Sequence, residues 1–300
     1  MDEMAMTLEQ LYSEREIWFT VIEWIGIFFI GIALVELCWD IITKTGRKTS
    51  ETFANLMVAA GNEFTGLFIN AVILGITYYF VQPFALFSFE MSPTHWAAAI
   101  LLADFLYYWM HRAEHEIRVL WAYHVVHHSS TEFDLTTGYR LSWIEGLIEW
   151  VFLVPMLLLG FDAITTFAAI SVVVVYQTWI HTQKIGTLGK LEGIISTPSA
   201  HRVHHGSNDK YLDKNYGGIL MIWDRIFGTY QPEEETVAFG ITTPIKSINP
   251  FVINFHEYAA IIRDCISAQN GAQRIKYIFA HPGWKPTKPK KSAVISEQEK

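Results

Sequence analysis

Long apolar stretches separated by short polar segments dominate the first two thirds of the chain. Residues 17–38 and 66–89 are each close to the length at which a helix crosses a hydrocarbon core of about 30 Å. Three further stretches, at 96–110, 143–161 and 163–180, are shorter or contain more polar residues. The pattern therefore predicts an all-α protein, an integral membrane bundle of four to five membrane helices.

Four polar residues interrupt the last three of these stretches. Side chains of this kind are costly when they face lipid, so we expect them to point into the bundle or towards its cytosolic mouth. They are Asp104, Glu145, Glu149 and Gln177.

The distribution of basic residues predicts the orientation in the membrane. Residues 1–16 contain one arginine and five acids, whereas the loop at 43–51 contains Lys44, Arg47 and Lys48. Short loops rich in lysine and arginine remain on the cytosolic side, and residues 1–16 show no features of a removable signal peptide. The N-terminus is then outside, and residues 111–142 and those after 181 are cytosolic.

We predict one membrane-embedded domain over residues 1–300. It comprises N-terminal membrane helices (1–92), a catalytic core (93–232) and a cytosolic C-terminal segment and tail (233–300).

The formal net charge is −8 and no basic patch is interleaved with aromatic residues, so nucleic acid is not an expected partner. Cys38 and Cys265 are the two cysteines, too few for a disulfide framework or a cysteine-ligated iron–sulfur cluster.

Eight of the twelve histidines fall into three short motifs. On a helix, positions i, i+3 and i+4 share one face, whereas adjacent positions diverge by about 100°, so one HxxHH segment can reach two metal ions. Eight imidazoles exceed the four to six ligands of a single ion, which favours a dinuclear centre. The motifs are HRAEH (His111, His115), HVVHH (His124, His127, His128) and HRVHH (His201, His204, His205).

The predicted orientation places all three motifs at the cytosolic face, and it adds a ninth candidate ligand. His181 lies at the cytosolic end of the stretch 163–180. The remaining histidines, His95, His256 and His281, match no motif and we interpret them as ordinary surface or hydrogen-bonded residues. Imidazole ligands suit iron, zinc, copper and nickel alike, so ligand type alone does not select the metal.

Four polar residues are candidates for supporting the ligands. Metal-bound histidines commonly donate their second ring N–H to a carboxylate or carbonyl, which Asp104 and Glu116 could supply. For both acids a plain salt bridge is an equally good interpretation. In DKNYGG, Asn215 and Tyr216 can hydrogen-bond near HRVHH, and Gly217 and Gly218 permit a close approach of the backbone.

Together the motifs resemble the fatty acid hydroxylase/sterol desaturase superfamily. The resemblance covers about residues 104–230 and rests on the three histidine motifs, WIHT at 179–182 and DKNYGG with WDRIFGTY behind it. Within the superfamily, TPSAHRVHHGSNDKYLDKNYGG and the later HPGWKP look closest to the alkylglycerol monooxygenase branch and its bacterial members.

The resemblance implies a membrane di-iron centre that uses O2 to hydroxylate or desaturate a C–H bond of a lipid, with the eight motif histidines as ligands. In that branch it further implies a reduced pterin as electron source. Asp134 departs from the asparagine expected there, and GYR follows it. This departure leaves the substrate open, among fatty acyl, alkyl-glycerol and sterol-like lipids.

Insertion of one oxygen atom from O2 requires two external electrons. The chain has no G-x-G-x-x-G dinucleotide fingerprint, so we expect a separate electron donor: a reduced pterin, a ferredoxin or a cytochrome b5-type protein.

Two alternatives stay open: a lipid or sterol desaturase on the same scaffold, and a non-catalytic metal-binding membrane protein. A bacterial inner membrane and an endoplasmic reticulum are both compatible locations.

Overall fold

The computed structural model describes residues 8–90 and 92–286, and these form helices and turns without a β-strand. The all-α prediction is confirmed. The first seven residues and the lysine-rich tail at 287–300, on which part of the predicted orientation and of the C-terminal segment rested, lie outside the described residues.

Among the described residues, three helical segments are long and apolar enough to cross a membrane: Thr20–Thr43, Thr49–Phe84 and Ala163–Ile180. The first lies within α1 (Leu8–Thr43). The second comprises α2 (Thr49–Ile76) with a π-helical turn, Thr77–Val81, and a 3-10 turn, Gln82–Phe84. Large apolar side chains along both are exposed, as expected for surfaces that face lipid. The protein is an integral membrane protein.

Within the predicted stretch at 66–89, residues 66–84 form the second half of a helical segment that already begins at Thr49, and residues 85–89 lie beyond its end. Polar residues in the first turns lower the hydropathy there without ending the helix, because Asn55 and its neighbours hydrogen-bond to other segments. The predicted stretch 96–110 lies in α3 (Pro93–Glu116), which is not among the three candidate spans.

The remaining helices are shorter, and several begin at side-chain caps with proline in the first turn. Two 3-10 turns, Leu135–Tyr139 and Gly189–Leu191, join them. In chain order they are α4 (Arg118–His128), α5 (Gly146–Leu159), α6 (Ala163–Tyr176, extended by a 3-10 turn Gln177–Ile180), α7 (Pro198–His204), α8 (Ile222–Phe227), α9 (Pro250–Ser267) and α10 (Gly271–Phe279).

The main core lies where α3 packs against α5 and α6. Ala99 and Ala103 of α3 are fully buried and let the helices approach closely, and Met156 and Val173 fill the facing surfaces. This packing fixes the direction in which α3 leaves the bundle, and therefore the position of the histidines at its C-terminal end.

Buried ion pairs and hydrogen bonds fasten the membrane helices to the histidine-bearing segments. Arg47, between α1 and α2, lies 2.7 Å from the carboxylate of Asp134. Glu36 of α1 accepts hydrogen bonds from the backbone N–H of Leu135 and the hydroxyl of Thr182. Asp134 therefore holds two segments together through Arg47.

Candidate metal centre

The nine histidines predicted as ligands divide into two buried groups. Within each group, one potential ligand atom from every residue lies within 4.8 Å of the others. We call them the five-histidine group, His111, His115, His124, His128 and His204, and the four-histidine group, His127, His181, His201 and His205.

Two helices supply both groups. α4 directs His124 and His128 to the five-histidine group and His127 to the other, and His204, the last residue of α7, is divided from the adjacent His205 in the same way. This is the divergence of about 100° between adjacent helical positions on which the dinuclear interpretation rests. The two groups adjoin, since the rings of His128 and His205 stack with their centroids 4.3 Å apart.

The Nε2 atoms face one another inside each group. His124 Nε2 lies 3.0 Å from His111 Nε2 and 3.1 Å from His128 Nε2. His181 Nε2 lies 2.8 Å from His201 Nε2 and 3.1 Å from His127 Nε2. When two nitrogens bind the same metal ion at about 2.1 Å and the nitrogen–metal–nitrogen angle is about 90°, they lie about 3.0 Å apart. The distances between the Nε2 atoms are close to this value.

The outward-facing Nδ1 atoms have separate partners. His111 Nδ1 lies 2.9 Å from the carbonyl oxygen of Tyr216, His181 Nδ1 lies 2.8 Å from that of Gln177, and His204 Nδ1 lies 3.0 Å from that of Lys214. A carbonyl oxygen only accepts, so each of these Nδ1 atoms carries the proton and each Nε2 presents a lone pair inward.

These contacts fit metal ions. His111 Nε2 presents its lone pair towards His124 Nε2 at 3.0 Å, a spacing that two ligands of one cation adopt. Two further ring nitrogens, His115 Nε2 and His204 Nε2, are buried with no hydrogen-bond partner among the described residues. Burial also lowers the pKa of all nine histidines, that of His181 to about 4, and so favours the neutral form that binds metal.

Glu114 is a supporting residue that the sequence interpretation missed. Its Oε2 lies 3.0 Å from His124 Nδ1, and its Oε1 accepts a hydrogen bond from the hydroxyl of Tyr123. Burial raises the pKa of Glu114 to about 8. Its position inside HRAEH, between two candidate ligand histidines, is the sequence signal for this role, which the sequence analysis assigns to Glu116.

Glu116 and Asp104 do not contact a ligand histidine. Glu116 forms an exposed pair with Arg112 at 2.8 Å, the plain salt bridge left open as an alternative. Asp104 is buried, and its carboxylate accepts from the backbone N–H groups of Ile219 and Leu220 and from the indole of Trp223. Asp104 thereby anchors the glycine-rich segment behind the site.

Asn215 and Tyr216 lie in that segment, and each supports the site through a different group. Asn215 adopts a left-handed backbone conformation (φ 60°). Its side-chain amide donates hydrogen bonds to the backbone carbonyl of Ala200 in α7 and to that of Gln231. Tyr216 holds His111 through its backbone carbonyl, whereas its hydroxyl is buried without a partner among the described residues. Gly217 and Gly218 allow this backbone to pack closely against neighbouring residues. A Cβ at Gly218 would lie only 2.5 Å from a methyl group of Val173.

Two more supporting contacts were not predicted. Asp213 lies 3.7 Å from His115 Nδ1 and 2.9 Å from Nε2 of His281, a histidine that we had interpreted as ordinary. Gly138 faces His181, since a Cβ there would lie 3.0 Å from His181 Nδ1. Both contacts join segments distant in sequence, so no local pattern indicates them.

Arg140 holds the end of α4 in place. Its buried guanidinium donates to the carbonyl of Val126, to Asn55 of α2 and to the hydroxyl of Ser129. Burial lowers the pKa of Arg140 to about 10. The flanking His127 and His128 are thereby fixed relative to the membrane helices.

A cavity of about 620 Å³ reaches the two groups from the side of α9 and the segment that follows α10. His115, His128 and His204 form part of its wall. Arg118, Trp121 and Glu257 also line it. Both charged and apolar side chains line it, so it can admit a molecule with polar and apolar parts.

Comparison with known proteins identifies the core of the chain. The fatty acid hydroxylase family model matches residues 96–229. The human alkylglycerol monooxygenase is 37% identical over 267 residues, which cover 88% of this chain and 60% of that protein. The alkylglycerol monooxygenase of Xenopus tropicalis is 43% identical over 201 residues, 66% of this chain and 44% of that protein.

A bacterial relative, the ornithine lipid hydroxylase of Rhizobium tropici, is 27% identical over 236 residues, 73% of this chain and 71% of its own length. The chain spans about three fifths of the length of the human alkylglycerol monooxygenase. No solved structure matches. Residues 96–229 form a fatty acid hydroxylase domain, and the superfamily resemblance inferred from the histidine motifs is confirmed.

Proposed function

We propose that this protein is a membrane di-iron monooxygenase that uses O2 and two external electrons to hydroxylate a C–H bond of a lipid. One observation carries the proposal: nine buried histidines form two adjoining groups whose potential ligand atoms lie within 4.8 Å of each other in each group. The relatives named alkylglycerol monooxygenase and ornithine lipid hydroxylase support the choice of reaction and substrate class.

The set of nine imidazole ligands favours two redox-active metal ions over one structural ion. A structural zinc site uses four ligands and leaves no open position, whereas nine imidazoles suit two ions. Neutral imidazole binds iron well, and the iron centres supply the oxygen activation that no amino-acid side chain can perform.

The chain's own residues position and protect the centre. The carbonyls of Tyr216, Gln177 and Lys214 fix three ligands in one tautomer, so that Nε2 faces inward. Glu114 holds the ring of His124 in place through its contact with Nδ1. The burial of all nine rings keeps bulk water away from the reacting C–H bond.

We further propose that the centre faces the cytosol. The loop with Lys44, Arg47 and Lys48 follows the span Thr20–Thr43, and Arg47 of this loop contacts Asp134 in the histidine-bearing part. Basic short loops remain cytosolic, so the segments tied to them lie on the same side.

Electrons must come from a separate donor, a reduced pterin, a ferredoxin or a cytochrome b5-type protein. The cavity beside His115 and His128 is the route by which a small donor or the polar end of a lipid reaches the centre. A desaturase on the same scaffold uses the same ligands and differs only in the fate of the substrate, so product mass separates the two.

The deciding experiment compares the lipids of host membranes that express the wild-type protein, His204→Ala or the control His95→Ala, with metals quantified in each purified protein. His95 lies at the opposite end of α3. We expect a lipid heavier by one oxygen atom, and about two irons per chain, in the wild type and the control only. A lipid lighter by two hydrogens would identify a desaturase. Zinc with unchanged lipids would refute the oxygenase and favour a non-catalytic metal protein.

A further inference from the structure

One face of α9 is apolar and exposed along its whole length. At about 100° per residue, the side chains that share this face fall within an arc of about 100°. Ile262 and Ile266 are 59% and 76% exposed, values typical of a surface that is not packed against protein. The members of this face, which we call the α9 stripe, are Phe251, Val252, Phe255, Ala259, Ile262 and Ile266.

The opposite face of α9 is fixed to the protein. Ile253 packs with Ala54 and Val58 of α2 and with Val126 of α4. Glu257 and Asp264 both pair with the buried Arg118, at 2.8 and 2.6 Å. The helix therefore cannot rotate to bury the α9 stripe without breaking these contacts.

The position of α9 along α2 places it at a membrane surface. The helical segment Thr49–Phe84 has 36 residues and is about 54 Å long, much longer than a hydrocarbon core of about 30 Å. α9 contacts its first turns, at Ala54 and Val58, and Val126 beside the histidines joins the same contact. α9 thus lies near the end of the span, on the side of the candidate metal centre.

The exposed apolar surface is continuous from α2 to α9. Trp143 donates its indole N–H to the carbonyl of Val58, and its ring packs edge-on against Phe251 and near Phe255 of the stripe. Phe53 of α2 is exposed beside the segment that leads into α9. Tryptophan at the edge of an apolar belt is typical of a membrane interface.

The charges around the stripe are positive. Residues 245–286 contain five lysines and arginines and two acids, although the whole chain has a net charge of −8. Both acids, Glu257 and Asp264, are occupied by Arg118. Arg263 follows at the border of the stripe, and α10 adds the exposed Ile275 and Phe279 together with Arg274 and Lys276.

We propose that α9 and α10 lie in the headgroup region of the bilayer, with the α9 stripe in contact with acyl chains and the flanking cations on anionic lipid headgroups. Amphipathic helices with apolar and basic faces bind at this depth, and basic residues near an anionic surface add to the binding. The helix pair then holds the cavity beside the histidines at the level of the lipid headgroups.

Site-specific fluorescence in nanodiscs tests this placement without any activity measurement. In a Cys38→Ser, Cys265→Ser background, an environment-sensitive label is attached at Ile262→Cys, at Ile266→Cys or at the control Asp209→Cys, an exposed polar position after α7. The two quenchers are a nitroxide on lipid acyl chains and aqueous iodide. Intact folding is checked by the elution profile of each variant.

We expect acyl-chain nitroxide to quench both α9 labels at least about threefold more than the control, with the opposite order for iodide. Shielding of the α9 labels should be greater with phosphatidylglycerol than with phosphatidylcholine alone. Iodide quenching equal to that of the control would overturn the proposal, and equal shielding in both lipids would overturn its anionic-lipid part. Shielding from both quenchers, with disulfide-linked dimers at Ile262→Cys, would show that a second copy covers the stripe instead.

Discussion

Glu114 Oε2 lies 3.0 Å from His124 Nδ1, inside the same five-residue motif that supplies His111 and His115. A carboxylate in this position fixes the ring of His124 and increases its basicity, and loss of such a partner typically lowers metal affinity or activity about 10- to 100-fold. We expect this loss for Glu114→Ala, measured as iron retained against a chelator and as product formed.

Glu116→Ala is the matched control, since it removes a carboxylate two residues away that pairs with Arg112 at the surface. Exposed pairs contribute about 0–1 kcal/mol, so we expect near wild-type iron content. If both variants lost iron equally, the special role of Glu114 would be refuted.

Gly138→Ala should disturb His181 specifically. The added Cβ would lie 3.0 Å from His181 Nδ1, where the ring already contacts the carbonyl of Gln177, so the ring must move by a few tenths of an ångström and its contacts with His127 and His201 are disturbed. We expect at least about a tenfold loss of activity and about one iron per chain instead of two. Gly186→Ala, where an added Cβ meets nothing within 4 Å, should leave both values unchanged.

Asp104→Asn tests whether the glycine-rich segment is held from behind. The substitution leaves at least one of three donors, from Ile219, Leu220 and Trp223, without its partner. A buried unpaired group costs about 1–3 kcal/mol, so the detergent-solubilised protein should unfold at a lower temperature than the wild type. The exposed Asp209→Asn serves as control. Unchanged unfolding of Asp104→Asn would show that water replaces the lost contact.

Acid should release the metals and destabilise the fold together. Burial lowers the folded-state pKa of the histidines below the usual 6.5, so below about pH 6.5 the unfolded chain takes up protons that the folded chain does not. Stability is then retained above about pH 6.5 and lost as the pH falls towards about 4, the folded-state value of His181. Iron content and thermal unfolding measured across this range should fall together, and iron retained at pH 5 would contradict the prediction.

Tyr216→Phe separates the backbone role of Tyr216 from that of its side chain. The carbonyl that holds His111 is unaffected, and the buried hydroxyl has no partner among the described residues. We expect wild-type iron content and equal or higher stability, because an unsatisfied buried hydroxyl costs about 1–3 kcal/mol. Loss of activity with iron intact would instead assign the hydroxyl to the reaction, whereas loss of iron would contradict the assignment to the carbonyl.

The sequence by itself was sufficient for the features that depend on local periodicity. The apolar stretches indicated a helical membrane protein, and the i, i+3, i+4 spacing of histidines indicated ligands shared between two sites. His127 and His128 diverge because helical geometry requires adjacent positions to do so, whatever surrounds them. Local geometry therefore indicated the eight motif histidines as candidate ligands, and the tertiary structure decided which histidines share a group.

The tertiary structure decided which groups support those ligands. Gln177 supports His181 through its backbone carbonyl, and Asp213 reaches His115 from a left-handed turn 98 residues further along the chain. Glu114 and Glu116 are the same residue type two positions apart, and only the packing of α4 against α3 buries one beside His124 and leaves the other in solvent. Such partners are chosen by burial and by contacts between distant segments, and these follow from how the helices pack rather than from the pattern within any one of them.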